Sequence, residues 1–189
     1  MEADYSIELG KDDPVLDFPW TDPSGKLRYF DLKRHPELME KIEEVREFPE
    51  LAEFLRVINS GRSAFESAKC DAWVTTELSD EENIFNASHK CASYVDLVAS
   101  SLEARGTYKL HRQFAGKWKE LMRRVPEISA SAELCLRRCF SVGPAETTDG
   151  FYFTLYVNGY GEDEFVARKN WNIGLGLTGN AIVQLSAGF

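Results

Sequence analysis

The sequence predicts an α+β architecture: an antiparallel sheet of about three to five strands with helices packed on one face. Three observations carry this. Residues 69–77 and 150–158 alternate or concentrate aromatic and β-branched side chains as strands do. Other stretches repeat apolar residues at helical spacing between recognisable start and stop signals. No internal repeat, low-complexity tract or linker divides the 189 residues, so residues 1–189 read as a single domain.

Taken in order, residues 1–35 are expected to be irregular with short strands. Tyr5, Ile7 and Leu9 alternate, while Asp13-Pro14, Phe18-Pro19-Trp20 and Asp22-Pro23-Ser24-Gly25 supply turn chemistry. Helices are predicted over about 36–60. Pro36 opens the first, with Leu38, Met39, Ile42 and Val45 as its stripe; Pro49 starts the second, carried by Leu51, Phe54, Leu55 and Ile58 up to Gly61. In the strand at 69–77, Cys70, Ala72, Val74 and Thr76 face one way, and Asp71, Trp73, Thr75 and Glu77 the other.

A helix is then predicted over about 80–105. Ser79 and Glu82 have the spacing of a capping box, and Ile84, Ser88, Cys91, Val95, Val98 and Leu102 form a stripe. A second helix at 108–124 buries Phe114, Trp118, Leu121 and Met122 and ends at Pro126. Strands at 131–140 and 150–158 are predicted to pair as a hairpin across the loop from Gly143-Pro144 to Asp149-Gly150, although Ile128, Ala132, Cys135, Leu136 and Cys139 also fit a helix. The last segment, 163–186, fits either a helix or a hairpin turning at Thr178-Gly179-Asn180. The acidic Glu162-Asp163-Glu164 favours the helix through its N-terminal dipole.

Charge and cysteine content narrow the function classes. The net charge of −9 argues against generic nucleic-acid binding, which relies on neutralising phosphates. Residues 1–60 hold 15 acids and 8 bases; residues 108–124 hold six bases and one acid. Met1-Glu2-Ala3-Asp4 has neither the basic start nor the apolar run of a secretion signal, and no stretch is apolar enough for a bilayer. A cytoplasmic address and no membrane partner are therefore expected. Cys70, Cys91, Cys135 and Cys139 fit it as free thiols, with no paired zinc-ligand spacing, and neither metal nor cofactor is called for.

The motifs that resemble chemistry fail on context. Gly174-Leu175-Gly176-Leu177-Thr178-Gly179 spells a dinucleotide loop, but no crossover helix or ribose-binding acid follows before Phe189. His89, Ser93 and Asp96 are the residue types of a hydrolytic triad. On one helix the acid would sit too far from the histidine to orient it. His35 and His111 show no metal-ligand spacing. Asp71, Trp73 and Glu77 put two carboxylates beside an aromatic, yet six residues of strand span about 20 Å. Lys109, Arg112, Lys119 and Arg123 line one face of helix 108–124 and suit an anion or an acidic segment.

These readings converge on a non-catalytic cytoplasmic interaction or regulatory module, self-associating or with a protein partner. Its contact residues are expected among Lys109, Arg112, Lys119, Arg123, Trp73 and Asp71. Two alternatives stand beside it. One is a small enzyme assembling His111, Asp71, Cys70 and Tyr156 into one pocket. The other is a sensor holding a small phosphate-bearing anion on the basic face of helix 108–124.

Overall fold

Two long strands, β5 (Ala130–Val142) and β6 (Thr147–Gly161), form a hairpin that is the spine of the molecule. The computed structural model describes residues 1–143 and 146–189, and leaves the side chains of Asn83 and Ile84 undescribed. Pro144 of the predicted hairpin loop, and the Ile84 side chain of the predicted helical stripe, thus lie outside the described residues. On one side of the spine follow β4 (His89–Ala99) and then β3 (Phe65–Thr75), both antiparallel to their neighbours. On the other side β5 carries β1 (Glu2–Ile7) and β2 (Val15–Phe18), and both run parallel to it.

The sheet is therefore six-stranded and mixed, where the sequence predicts three to five antiparallel strands. β1 pairs with Ser131–Leu136 and β2 with Arg138–Ser141, so the two form one interrupted edge strand with residues 8–14 looping out between them. Alternation within a strand identifies its two faces but not its partner or direction. No turn joins β1 to β5 to reveal the pairing.

The structure departs furthest from the predicted elements at 80–105. Only a 3-10 turn (Asp80–Phe85) and the short α3 (Leu102–Arg105) are helical there, and β4 crosses the sheet between them. The capping geometry is half real: the Ser79 N–H donates to the Glu82 carboxylate at 2.9 Å, but it heads a single turn. β4 lies between β3 and β6 and is buried on both faces, so its apolar residues run almost without interruption. Such a run fits a helical stripe as readily as a strand.

Where Pro36 opens a predicted helix, the chain forms a 3-10 helix (Pro36–Lys41), and the described residues form four further α-helices: α1 (Glu43–Glu47), α2 (Pro49–Ile58), α4 (Tyr108–Met122) and α5 (Glu164–Ser186). Leu51, Leu55 and Ile58 of α2, Phe114 and Trp118 of α4, and Trp171 and Ile182 of α5 share one core with a single sheet face. That face presents Phe65, Cys91, Val95, Leu97, Leu134, Leu136, Phe153, Leu155 and Val157.

α5 begins where Asp163 accepts the Val166 N–H at 2.8 Å, and it lies directly on β6. A Cβ on Gly159 would stand 2.0 Å from the Trp171 nitrogen, and one on Gly161 would stand 2.4 Å from that of Ala167. The three glycines of the apparent dinucleotide loop lie inside this helix. Gly174 faces Val157, Gly179 faces the Phe54 ring, and Gly176 faces open space. Gly174 and Gly179 serve close packing, and no strand-to-helix turn exists there to cradle a phosphate.

Among the described residues no helix is long and apolar enough to cross a membrane.

Candidate functional site

The second sheet face is where polar and aromatic groups gather. One end of it is covered: Leu16, Phe18, Ala68, Val98, Cys139 and Tyr152 form a small cluster under Trp20 and Tyr29 of the N-terminal segment. The remainder is open, and the strand registers order it into rungs that run from β1 through β5, β6 and β4 to β3. The first is Glu2, Ser131, Asn158, Ala92, Trp73. The second is Asp4, Glu133, Tyr156, Tyr94, Asp71, and the third Ser6, Cys135, Thr154, Asp96, Lys69.

The third rung is a buried network. Thr154 donates to Asp96 at 2.6 Å and accepts from Arg137 at 2.9 Å. Arg137 also donates to Glu8 at 2.8 Å and to the Tyr156 hydroxyl at 3.2 Å. Burial pushes the Asp96 carboxyl up to about 6, against the pull of Thr154, Lys69 and Arg137. Burial also works against the Arg137 charge, but Tyr156 and Glu8 outweigh it and hold the guanidinium firmly protonated. This network fixes the floor on which the other two rungs stand.

The first two rungs meet solvent. Trp73 is 39% exposed, Tyr94 is half-buried, and Tyr156 and Asn158, also half-buried, line with Trp73, Lys90, Glu2 and Glu133 a shallow hollow of about 520 Å³. Glu2, Glu133 and Asp71 are exposed and, among the described residues, form no ion pair. Three of the nearby cations are engaged, while Lys26 and Arg28 line the cavity that also takes in Asp71 and Tyr94. Lys90 holds Glu82 at 2.8 Å, and Lys119 holds Asp4. The Lys69 ammonium lies 5.2 Å from the Trp20 ring centre and 5.8 Å from that of Tyr94. The face is thus aromatic with unbalanced carboxylates, and its chemistry suits cations: stacking on rings and pairing with acids.

Beside this face, at the edge of β3, lies a second and more enclosed cavity of about 220 Å³. Trp20, Phe30, Leu32 and Ile42 supply apolar wall, Ser67 to Asp71 form the strand side, and Lys26, Arg28, Lys41, Glu43 and Glu44 line it with charge of both signs.

The sequence-predicted residues are dispersed. Trp73 and Asp71 lie on the open face. On α4, Lys119 is tied to Asp4 and Arg123 to Glu120 at 3.1 Å, while Lys109 and Arg112 point to solvent. Half of the expected basic stripe is therefore spent on internal pairs.

The enzyme constellation is split. Asp71 and Tyr156 share the open face two strands apart, while His111 sits fully buried on α4 among Phe151, Phe153 and Phe189. Burial pulls the His111 imidazole down to about 4, which keeps it neutral. The Cys70 thiol is pushed well up by burial and by Glu44 and Asp71. Ser93 and Asp96 face opposite sides of β4, and Ser93 accepts from the Trp171 indole at 2.9 Å. No triad forms from His89, Ser93 and Asp96.

Tyr94, Glu133 and Asn158 escape sequence reasoning. Reading β4 as a helix separates Tyr94 from Asp71 and Trp73, although the alternation of 69–77 already places those two on one face. Among the described residues no three His, Cys, Asp or Glu side chains gather as a metal site. The chain matches no protein-family model, no curated protein and no solved structure.

Proposed function

We propose that the protein is a non-catalytic interaction module that docks a basic segment of a partner protein on the open sheet face. The observation that carries this reading is the second rung, where two tyrosines stand between the carboxylates Glu133 and Asp71, with Trp73 one rung away. Four adjacent strands place those carboxylates about 14 Å apart across the sheet. A lysine or arginine side chain laid between them gains ring contact and charge pairing together. Internal cations already use the same chemistry: Lys69 lies over Tyr94, and Arg137 lies 5.7 Å from the Tyr156 ring centre.

The engagement of Lys119 and Arg123 with acids of the same chain disfavours the anion sensor. The separation of His111 from Asp71 and Tyr156 disfavours the enzyme.

The test is calorimetric titration with capped hexa-arginine and, in parallel, capped hexa-glutamate. The cationic peptide binds, its affinity falls as salt rises, and the double variant D71N/E133Q binds it at least fivefold more weakly. Equal affinity of wild type and double variant would remove the open face from the interaction.

A further inference from the structure

β3 is an edge strand, and only half of its edge is closed. Three observations fix which of its main-chain groups point outward. Lys33 donates to the Phe65 carbonyl at 2.8 Å, Asn59 accepts the Ser67 N–H at 3.0 Å, and the Trp20 indole donates to the Ala68 carbonyl. Across the strand, the Ser100 N–H reaches the Ala64 carbonyl at 2.9 Å, so residue 64 points inward toward β4. The register shift between Ser67 and Lys69 then resets the alternation. Beyond it, the Ala72 N–H bonds the Asp71 carboxylate at 2.8 Å and not β4, so Cys70, Ala72 and Val74 are the outward set.

Among the described residues nothing pairs with the outward main-chain groups of Cys70 and Val74, or with the Ala72 carbonyl. A sheet edge left in this state is a template for another strand. The cavity walled by Trp20, Phe30 and Ile42 lies against that edge at Cys70. The side chains of the free half alternate strictly. Cys70, Ala72 and Val74 belong to the core side, whereas Asp71 and Trp73 stand on the open face.

We infer that the partner's segment docks as an added antiparallel strand along Cys70–Thr75, with apolar residues at alternate positions and lysine or arginine between them. Its apolar side chains continue the layer of Cys70, Ala72 and Val74, and the residue opposite Cys70 enters the cavity. Its basic side chains fall opposite Asp71 and Trp73, where a cross-strand opposite-charge pair and an aromatic contact receive them. This rests on the open face being the site for a basic segment, and it adds the backbone pairing that sets direction and register.

The probe is a capped heptapeptide, Thr-Val-Lys-Val-Arg-Val-Thr, titrated against the full chain by amide NMR. Two controls separate backbone from side-chain recognition. One is the same peptide N-methylated at the amides that would face β3. The other is Val74→Pro, which deletes an outward donor from an edge strand without touching the β4 ladder.

The expected result is saturable binding with shifts at Cys70–Thr75, weakened at least tenfold by either control and also weakened by D71N/E133Q. Loss in D71N/E133Q with no effect of N-methylation or of Val74→Pro would overturn the added strand and leave the open-face reading standing. Loss in both controls with no effect of D71N/E133Q would keep the added strand and sink its basic specificity. No binding up to 1 mM peptide would overturn the added strand, and hexa-arginine would then decide the open face alone. A dimer of the protein by sedimentation that Val74→Pro dissociates would replace the partner by a second copy of the chain.

Discussion

His111 and Asp96 are buried on opposite sides of the sheet, and they couple folding to pH with opposite signs. His111 titrates near 6.5 when unfolded and about 4 when folded, so the unfolded chain binds the extra proton between those values. Its contribution to stability is complete above 6.5 and falls by about 3 kcal/mol as pH drops to 4 and below. Asp96 titrates near 3.8 unfolded and about 6 folded, so the folded chain holds the proton between them. Its contribution is complete below 3.8 and falls by about 3 kcal/mol as pH rises through 6. The two terms nearly cancel between pH 4 and 6.5. His111→Phe is expected to leave the Asp96 term exposed, so that the urea midpoint rises relative to wild type as pH falls from 7 to 4. Asp96→Asn is expected to do the reverse. Parallel pH profiles for wild type and both variants would refute the assignment.

At the scale of elements, α5 rests on two glycines of β6, and one of its own glycines, Gly176, touches nothing. Gly159→Ala places a methyl carbon 2.0 Å from the Trp171 main chain, which only a shift of the whole helix can relieve. The expected loss is at or beyond the upper end of the ~1–3 kcal/mol typical of overpacking, read as a lowered thermal midpoint. Gly176→Ala meets nothing within 4 Å and sits mid-helix, so it is expected to stabilise by about 0.5–1 kcal/mol. The same pair explains what the sequence made legible here. In 163–186 the acidic start points to a helix, whereas three glycines within six residues, at up to ~1 kcal/mol each, count against one. Two of them, Gly174 and Gly179, are needed for close contact, a tertiary requirement that local propensity does not register. β4 failed for the opposite reason: burial on both faces erased the period that marks a strand at 69–77.

Across the whole molecule, the open face gathers a few of the chain's many carboxylates, Glu2, Asp71 and Glu133 among them, beside aromatic rings. Asp71 and Trp73 were legible as one side of a strand because their neighbours alternate. Glu133, Tyr156 and Tyr94 join them only through the register of four strands, which no local pattern encodes. The basic stripe of α4 was legible as a stripe, but its pairing with Asp4 depends on β1 lying beside that helix. Lys119→Ala frees the Asp4 carboxylate beside Glu133 and is expected to leave hexa-arginine affinity equal to or above that of wild type, while Trp73→Ala lowers it at least threefold. Both are read in the same calorimetric titration.

The parallel attachment of β1 to β5 also dictates an order of events. Ser6 and Cys135, which share a hydrogen bond, are separated by 129 residues, so closing this contact orders a very long loop before any pairing energy returns. On a ribosome the strand emerges well before the surface that receives it. Until β5 arrives, Tyr5 and Ile7 have no sheet to join. Edge closure is then a late step, and a substitution such as Ala3→Gly should accelerate unfolding while leaving the refolding rate almost unchanged in stopped-flow measurements. For this chain, β1 waits on a partner strand more than a hundred residues further along, and it is expected to join the sheet late.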